Sequence, residues 1–183
     1  VAFRWDDEKP KDNTQGRSDT FNKLQPKLSV AYDFGDGSLA YVTVGTGYRA
    51  GGFNNLAPGS TFQPGFDDES LVSYEAGFKT SALDGRFRAD MALFYIDYSD
   101  QQYFLFDQTG TQANINVPES HIWGGELEVA AQPTESLQVS FGLGFTDSEI
   151  DEYDDIPGVL VPASAIVGRK VPGAPIVSAS LAI

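Results

Sequence analysis

Six carboxylates crowd into nine residues at Asp147, Glu149, Asp151, Glu152, Asp154 and Asp155, a composition that suits a hard cation with oxygen ligands. The EF-hand calcium loop requires Gly at its sixth place and Glu at its twelfth, and counted from Asp147 those places hold Glu152 and Gly158. That loop type is excluded; an irregular cation site and a solvated acidic loop are both open readings of 147–155. Glu126 and Glu128 lie two apart, on one face if the segment is a strand, and paired carboxylates serve glycoside hydrolysis. A polar wall accounts for the same pair without chemistry. His121 is the only histidine and cysteine is absent, which removes His-based metal clusters, thiolate sites and disulfides. Gly45, Gly47 and Gly51 are spaced one residue too long for a dinucleotide loop, and no helix pattern follows. The segment reads instead as a strand that leaves its sheet and bends, with Gly51 and Gly52 supplying positive φ. Nothing here argues strongly for catalysis, and the expectation is a chain that is not an enzyme, with no cofactor and no assigned metal ligands.

The elements that carry these residues have a marked two-residue period. Leu137, Val139, Phe141, Leu143 and Phe145 fall on one face of a run, and Gln138, Ser140, Gly142, Gly144 and Thr146 on the other. An ordinary strand has about five or six residues, whereas a tilted strand crossing a bilayer needs roughly 9–11. The run from Leu137 to Asp147 has that length, so its pattern reads as apolar toward lipid and polar toward a lumen. Strands are expected at about 2–9, 20–34, 38–48, 70–82, 86–104, 112–131, 136–148 and 175–183. Val72, Tyr74, Ala76 and Phe78 oppose Ser73, Glu75, Gly77 and Lys79. Trp123, Leu127 and Val129 oppose Gly124, Glu126 and Glu128. In the fifth strand Phe87, Ala89, Met91, Leu93 and Tyr95 look outward, with Arg88 and Asp90 inside; Phe94 and Ile96 then face the lumen. The third strand, Leu39 to Tyr48, is apolar on both faces, and its register is undecided.

Turns and loops alternate in length. Short turns centre near residues 36, 84 and 134, spaced by 48 and 50 residues, and long polar or Gly-rich stretches lie at roughly 49–69, 99–118 and 148–174. Short turns at one end and long loops at the other are the asymmetry of an outer-membrane barrel. A propeller shares the period, but no blade signature recurs. The formal net charge is −14, which argues against a nucleic-acid partner. No apolar run of about 18 residues exists for a membrane helix. The mean hydropathy of −0.23 does not oppose a barrel, since only alternate residues face lipid. The fold class is therefore all-β: an antiparallel, up-and-down transmembrane β-barrel segment of about eight strands from a larger barrel. The other readings are a soluble β-sandwich or lectin-like binding domain and a glycan-acting enzyme on a β-scaffold.

Several segments resemble a known family. Gly47-Tyr-Arg-Ala-Gly-Gly-Phe-Asn54, Ser73-Tyr-Glu-Ala-Gly-Phe-Lys-Thr80, Asp84-Gly-Arg-Phe-Arg-Ala-Asp90 running into Leu93-Phe-Tyr-Ile-Asp-Tyr98, and Gly124-Gly-Glu-Leu-Glu128 look like successive strands of TonB-dependent outer-membrane receptors. The likeness covers roughly residues 20 to 183, and the first segment resembles the iron-siderophore branch. The resemblance implies a plugged barrel of about 22 strands in the outer membrane of a Gram-negative bacterium. It implies import driven through TonB, which grips the plug region, with a ferric siderophore or a similar small ligand as cargo; haem, cobalamin and oligosaccharide stay open. On this reading residues 1–183 are part of the barrel domain, with the plug and the barrel termini absent, and outer-membrane lipid surrounds it. By position, Tyr48, Arg49, Phe53, Asn54 and Asn55 at the mouth of one loop are the candidate ligand contacts. Anchoring at the membrane–water interface, where aromatics such as Tyr48 and Phe53 gather, together with loop structure, is the simpler explanation of the same residues.

Overall fold

The computed structural model describes residues 1–107, 109–156 and 162–183. Eight strands form one antiparallel sheet in which every neighbour in space is a neighbour in sequence. They are β1 (Ala2–Glu8), β2 (Phe21–Asp33), β3 (Ser38–Arg49), β4 (Glu69–Ala82), β5 (Phe87–Phe106), β6 (Gln112–Thr134), β7 (Leu137–Glu152) and β8 (Val177–Ala182). No pairing joins β1 to β8, so the sheet is an open arc of wall. The only helical element among the described residues is a 3₁₀ turn at Ala163–Ala165.

One register runs across the whole arc. Val30, Val42, Ala76, Leu93, Gly125, Phe145 and Val177 lie side by side, and so do Tyr32, Ala40, Phe78, Met91, Leu127, Leu143 and Ala179. Their apolar side chains share a bare face: Phe141, Leu143 and Phe145 are 39%, 42% and 40% exposed. Among the described residues no second layer covers Leu137, Val139 or Phe141, an arrangement that does not favour the sandwich, whose apolar faces must meet each other. Aromatic pairs border the face at both ends. Tyr32, Phe34 and Phe78 cluster beside the short turns, while Tyr74 with Tyr95, Tyr95 with His121, and Trp123 with Phe145 cluster at the other end. Two such girdles flank the lipid band of outer-membrane barrels.

The opposite face is polar and cross-linked. Ser29 meets Thr43 at 2.9 Å, Lys79 pairs with Asp90 at 3.3 Å, and Tyr41 Oη donates to Glu75 at 2.6 Å; Ser38 and Thr80, 3.0 Å apart, pair at the short-turn edge of the apolar face. This settles the third strand. Tyr41 goes inside because Glu75 satisfies its hydroxyl, and Ala40, Val42 and Val44 then take the lipid side. The fifth-strand register stands as expected, with Arg88, Asp90, Phe94 and Ile96 inward. Gly77 sits beneath the Tyr41 ring, where a Cβ would lie 2.4 Å from it.

The short turns cluster at one end. Ser81 N–H donates to the Gly37 carbonyl at 2.8 Å, and Arg86 donates to the carbonyls of Gln132 and Pro133 at 3.0 and 2.7 Å. Leu83 and Asp84 are left-handed (φ 55° each), the primed turn that matches strand twist.

Two expectations need correction. The stretch 99–118 is not a long loop: β5 runs to Phe106 and β6 starts at Gln112, so the hairpin continues beyond the wall. Polar residues such as Gln102 and Asn116 hide it from a hydrophobic pattern, yet their backbones stay paired. Gly51 and Gly52 do not adopt positive φ. They are needed for close approach, since a Cβ on Gly51 would lie 2.3 Å from the Phe66 carbonyl oxygen and one on Gly52 would lie 2.9 Å from the Phe66 ring. Of the expected loop at 148–174, β7 claims residues up to Glu152, and 157–161, which hold Gly158, lie outside the described residues.

Candidate functional site

The long connections gather at the end opposite the short turns. The buried apolar core among the described residues lies there, not in the wall: Phe62, Ala113, Ile115, Val117, Ile150, Tyr153 and Val171 pack together. Loop 50–68 is bound to the projecting β5–β6 hairpin by side chains that substitute for a backbone ladder. Asn54 Nδ2 donates to the carbonyls of Asn114 and Gln63 at 2.8 and 3.0 Å, while its Oδ1 accepts from the Asn114 N–H at 2.8 Å. Asn116 repeats the pattern on Asp67, accepting from its N–H at 2.8 Å and donating to its carbonyl at 3.0 Å. Gln102 Nε2 donates to the carbonyls of Ala50 and Asp67 at 2.9 and 3.1 Å.

At the hairpin tip Ser60 Oγ donates to Asp107 at 2.7 Å. The hydroxyl and N–H of Thr109 and the N–H of Thr111 donate to the same carboxylate. These donors, Thr109 Oγ1 above all, stabilise the charged form and hold Asp107 at about 2 against the opposing effect of burial.

Between loop 50–68 and the hairpin lies an open cleft of about 530 Å³, lined by Phe53, Asn54, Asn55, Ala57, Phe104 and the segment from Thr109 to Asn114. Three of the five candidates therefore converge on one cleft. Asn54 is buried and holds the loop; Phe53 is half-buried and Asn55 exposed. The other two stand apart from this lining. Arg49 is exposed at the top of β3 opposite Glu69. Tyr48 takes the lipid-side register opposite Ser70, and its hydroxyl is buried without a hydrogen-bond partner. Phe104 and the Thr109–Asn114 segment were invisible as site residues, because their role depends on a fold-back between positions 60 apart such as Asn54 and Asn114. Arg17 was invisible too; its guanidinium lies 5.0 Å above the Phe53 ring.

The acidic segment 147–155 is dispersed among separate partners. Asp147 pairs with Lys170, Asp151 with His121 Nδ1 at 2.7 Å, and Asp155 accepts from the Ala163 N–H at 2.6 Å. Among the described residues no three acidic or histidine side chains converge as a metal site would require. Glu126 and Glu128 line the polar wall with Gly142, Gly144 and Ser178.

The family described as TonB dependent receptor-like, beta-barrel, matches residues 1–183. Among solved structures, the ferric yersiniabactin uptake receptor FyuA of Yersinia pestis superposes with a TM-score of 0.69 at 21% identity, over 90% of this chain and 23% of that one. The siderophore receptor PiuA of Acinetobacter baumannii gives 0.69 at 20% identity, over 90% and 24%. The FrpB iron transporter of Neisseria meningitidis (F5-1 variant, apoprotein) gives 0.63 at 17%, over 90% and 25%. The chain thus spans about a quarter of the length of these proteins, and at such identities the likeness is one of fold.

Proposed function

The chain belongs to the TonB-dependent receptor-like β-barrel family, and from that premise we propose that it forms part of the wall and loop mouth of a receptor that imports a ferric siderophore. Members of this family are outer-membrane transport receptors of Gram-negative bacteria, not enzymes, and the chain is an outer-membrane barrel segment. The reading of its cargo is carried by one observation: the loops at one end of a lipid-facing wall are clamped into a cleft bearing Phe53, Asn55 and Phe104. An aromatic floor with amide and hydroxyl edges suits a rigid, ring-bearing, oxygen-rich chelate. The printed names of FyuA and PiuA, a ferric yersiniabactin receptor and a siderophore receptor, support the same cargo class.

In this reading the residues divide the labour. Asn54 holds loop 50–68 on the hairpin, Phe53 and Asn55 meet the ligand, and Arg49 and Tyr48 stand lower, at the rim of the wall. TonB would act through the plug region of the parent receptor.

Uptake of radioiron by cells relying on the full-length receptor tests the reading. With a panel of ferric siderophores, at least one should be imported, and Phe53→Ala together with Asn55→Ala should reduce its capture while leaving the receptor's amount in the outer membrane unchanged. Import of haem, cobalamin or an oligosaccharide instead, with no siderophore taken up, would overturn the cargo assignment.

A further inference from the structure

We propose that Arg17 is a positioning residue that latches loop 9–20 onto loop 50–68 and so sets the width of the ligand mouth. The inference rests on the reading of this end as the mouth. Arg17 opens the second strand of a small hairpin, Lys11–Asp12 against Arg17–Ser18. Asp12 fixes its guanidinium from within that hairpin, accepting from Nε at 3.0 Å and from Nη2 at 2.6 Å. The remaining donors cross to the other loop: Nη1 to the Pro64 carbonyl at 2.9 Å and Nη2 to the Asn54 carbonyl at 3.3 Å. The plane also lies over the Phe53 ring. Among the described residues, no other hydrogen bond or ion pair ties 9–19 to another loop.

The consequence is specific to arginine. One planar fork serves a carboxylate, two carbonyls and a ring face at once, whereas a lysine ammonium is a point charge without that geometry. Between the two loops lies a cleft of about 360 Å³ lined by Pro10, Lys11, Asp12 and Thr14 on one side and Phe53, Asn54 and Asn55 on the other. With the latch in place, loop 9–20 stands as its fixed outer wall. Without it, that wall swings, and Phe53 loses the cation that orients its ring.

The test uses the full-length receptor in outer-membrane vesicles, with spin labels at Asn13→Cys and Pro58→Cys; this segment contributes no other cysteine. The inter-label distance distribution should be narrow with Arg17, and broad in both Arg17→Ala and Arg17→Lys. Asp12→Asn should broaden it as well, because the fork loses its anchor. Release of a bound ferric siderophore should accelerate by roughly tenfold in Arg17→Ala, the ratio that ~1.4 kcal/mol of lost loop anchoring represents. Unchanged distributions in all three variants would overturn the latch. If no siderophore binds the wild type, the cargo reading fails, yet the distance measurement still decides on Arg17. Restoration of the narrow distribution by lysine would refute the part assigned to the fork.

Discussion

Placing lysine at adjacent positions of β7 separates the two faces of the wall. Phe141 lies between Val129 and Leu181 on the apolar face, and Ser140 lies between Ala130 and Ala182 on the polar one. From Leu137 to Phe145 the apolar side chains span eight residue steps; at ~3.4 Å per step and a tilt of ~40° this is about 20 Å of height, close to the thickness of the lipid band. Phe141 is at its centre. A lysine there should cost ~2–4 kcal/mol, whereas Ser140→Lys enters a watery lumen and should stay within ~0.5 kcal/mol. Equilibrium urea unfolding of the full-length barrel in lipid vesicles, followed by tryptophan fluorescence and gel mobility with and without boiling, measures the difference. Phe141→Lys should lower the midpoint clearly or prevent assembly, and Ser140→Lys should match wild type. Equal damage from both, or greater damage from Ser140→Lys, would refute the assignment of faces.

Three further outcomes are expected, two at the loop end and one in the wall. Gly51→Ala should displace loop 50–68, because the new methyl would meet the Phe66 carbonyl rather than a movable side chain; siderophore affinity should fall while heat-modifiable mobility of the barrel is preserved. Asp107 has a depressed folded-state pKa of about 2, so its contribution is fully present above the ordinary carboxylate range near 4 and is lost as pH falls toward 2. The protection factors of the Thr109 and Thr111 amides, with the pH dependence of intrinsic exchange divided out, should therefore be the same at pH 7 and pH 5 and fall only below about 4, and Asp107→Asn should lower them at both pH 7 and pH 5. Glu126→Gln and Glu128→Gln should leave uptake intact, since both carboxylates line the wall; loss of a hydrolytic turnover in either variant would revive the enzyme reading.

The wall was legible in the sequence because lipid imposes a strict two-residue alternation. Leu137 to Phe145 and Val72 to Phe78 announce their faces without knowledge of any neighbour. The third strand was not legible, since Leu39, Tyr41 and Gly47 carry no charge to mark the lumen; its register depends on Glu75 across the ladder. Above the membrane both faces meet water or loops and alternation weakens; strands were expected to reach 104 and to resume at 112, but the polar stretch 99–118 still read as a loop, and only the ladder of Gln101–Phe106 with Gln112–Val117 shows one continuous hairpin. Phe53, Asn54 and Asn55 were identifiable as a group from their place after a strand. That Asn54 is a clamp depends on Asn114, and that Phe53 is capped depends on Arg17, contacts that no local spacing reveals.

The most direct measurement is site-directed spin labelling along β7, from Leu137 through Asp147, in the full-length receptor reconstituted in bilayers. Collision rates with oxygen, which concentrates in hydrocarbon, and with a water-soluble nickel complex should oscillate with period two and opposite phase: oxygen high at 139, 141, 143 and 145, nickel high at 140, 142 and 144. A profile with no alternation, or with both reagents excluded from the odd positions, would contradict a wall with lipid on one side and water on the other.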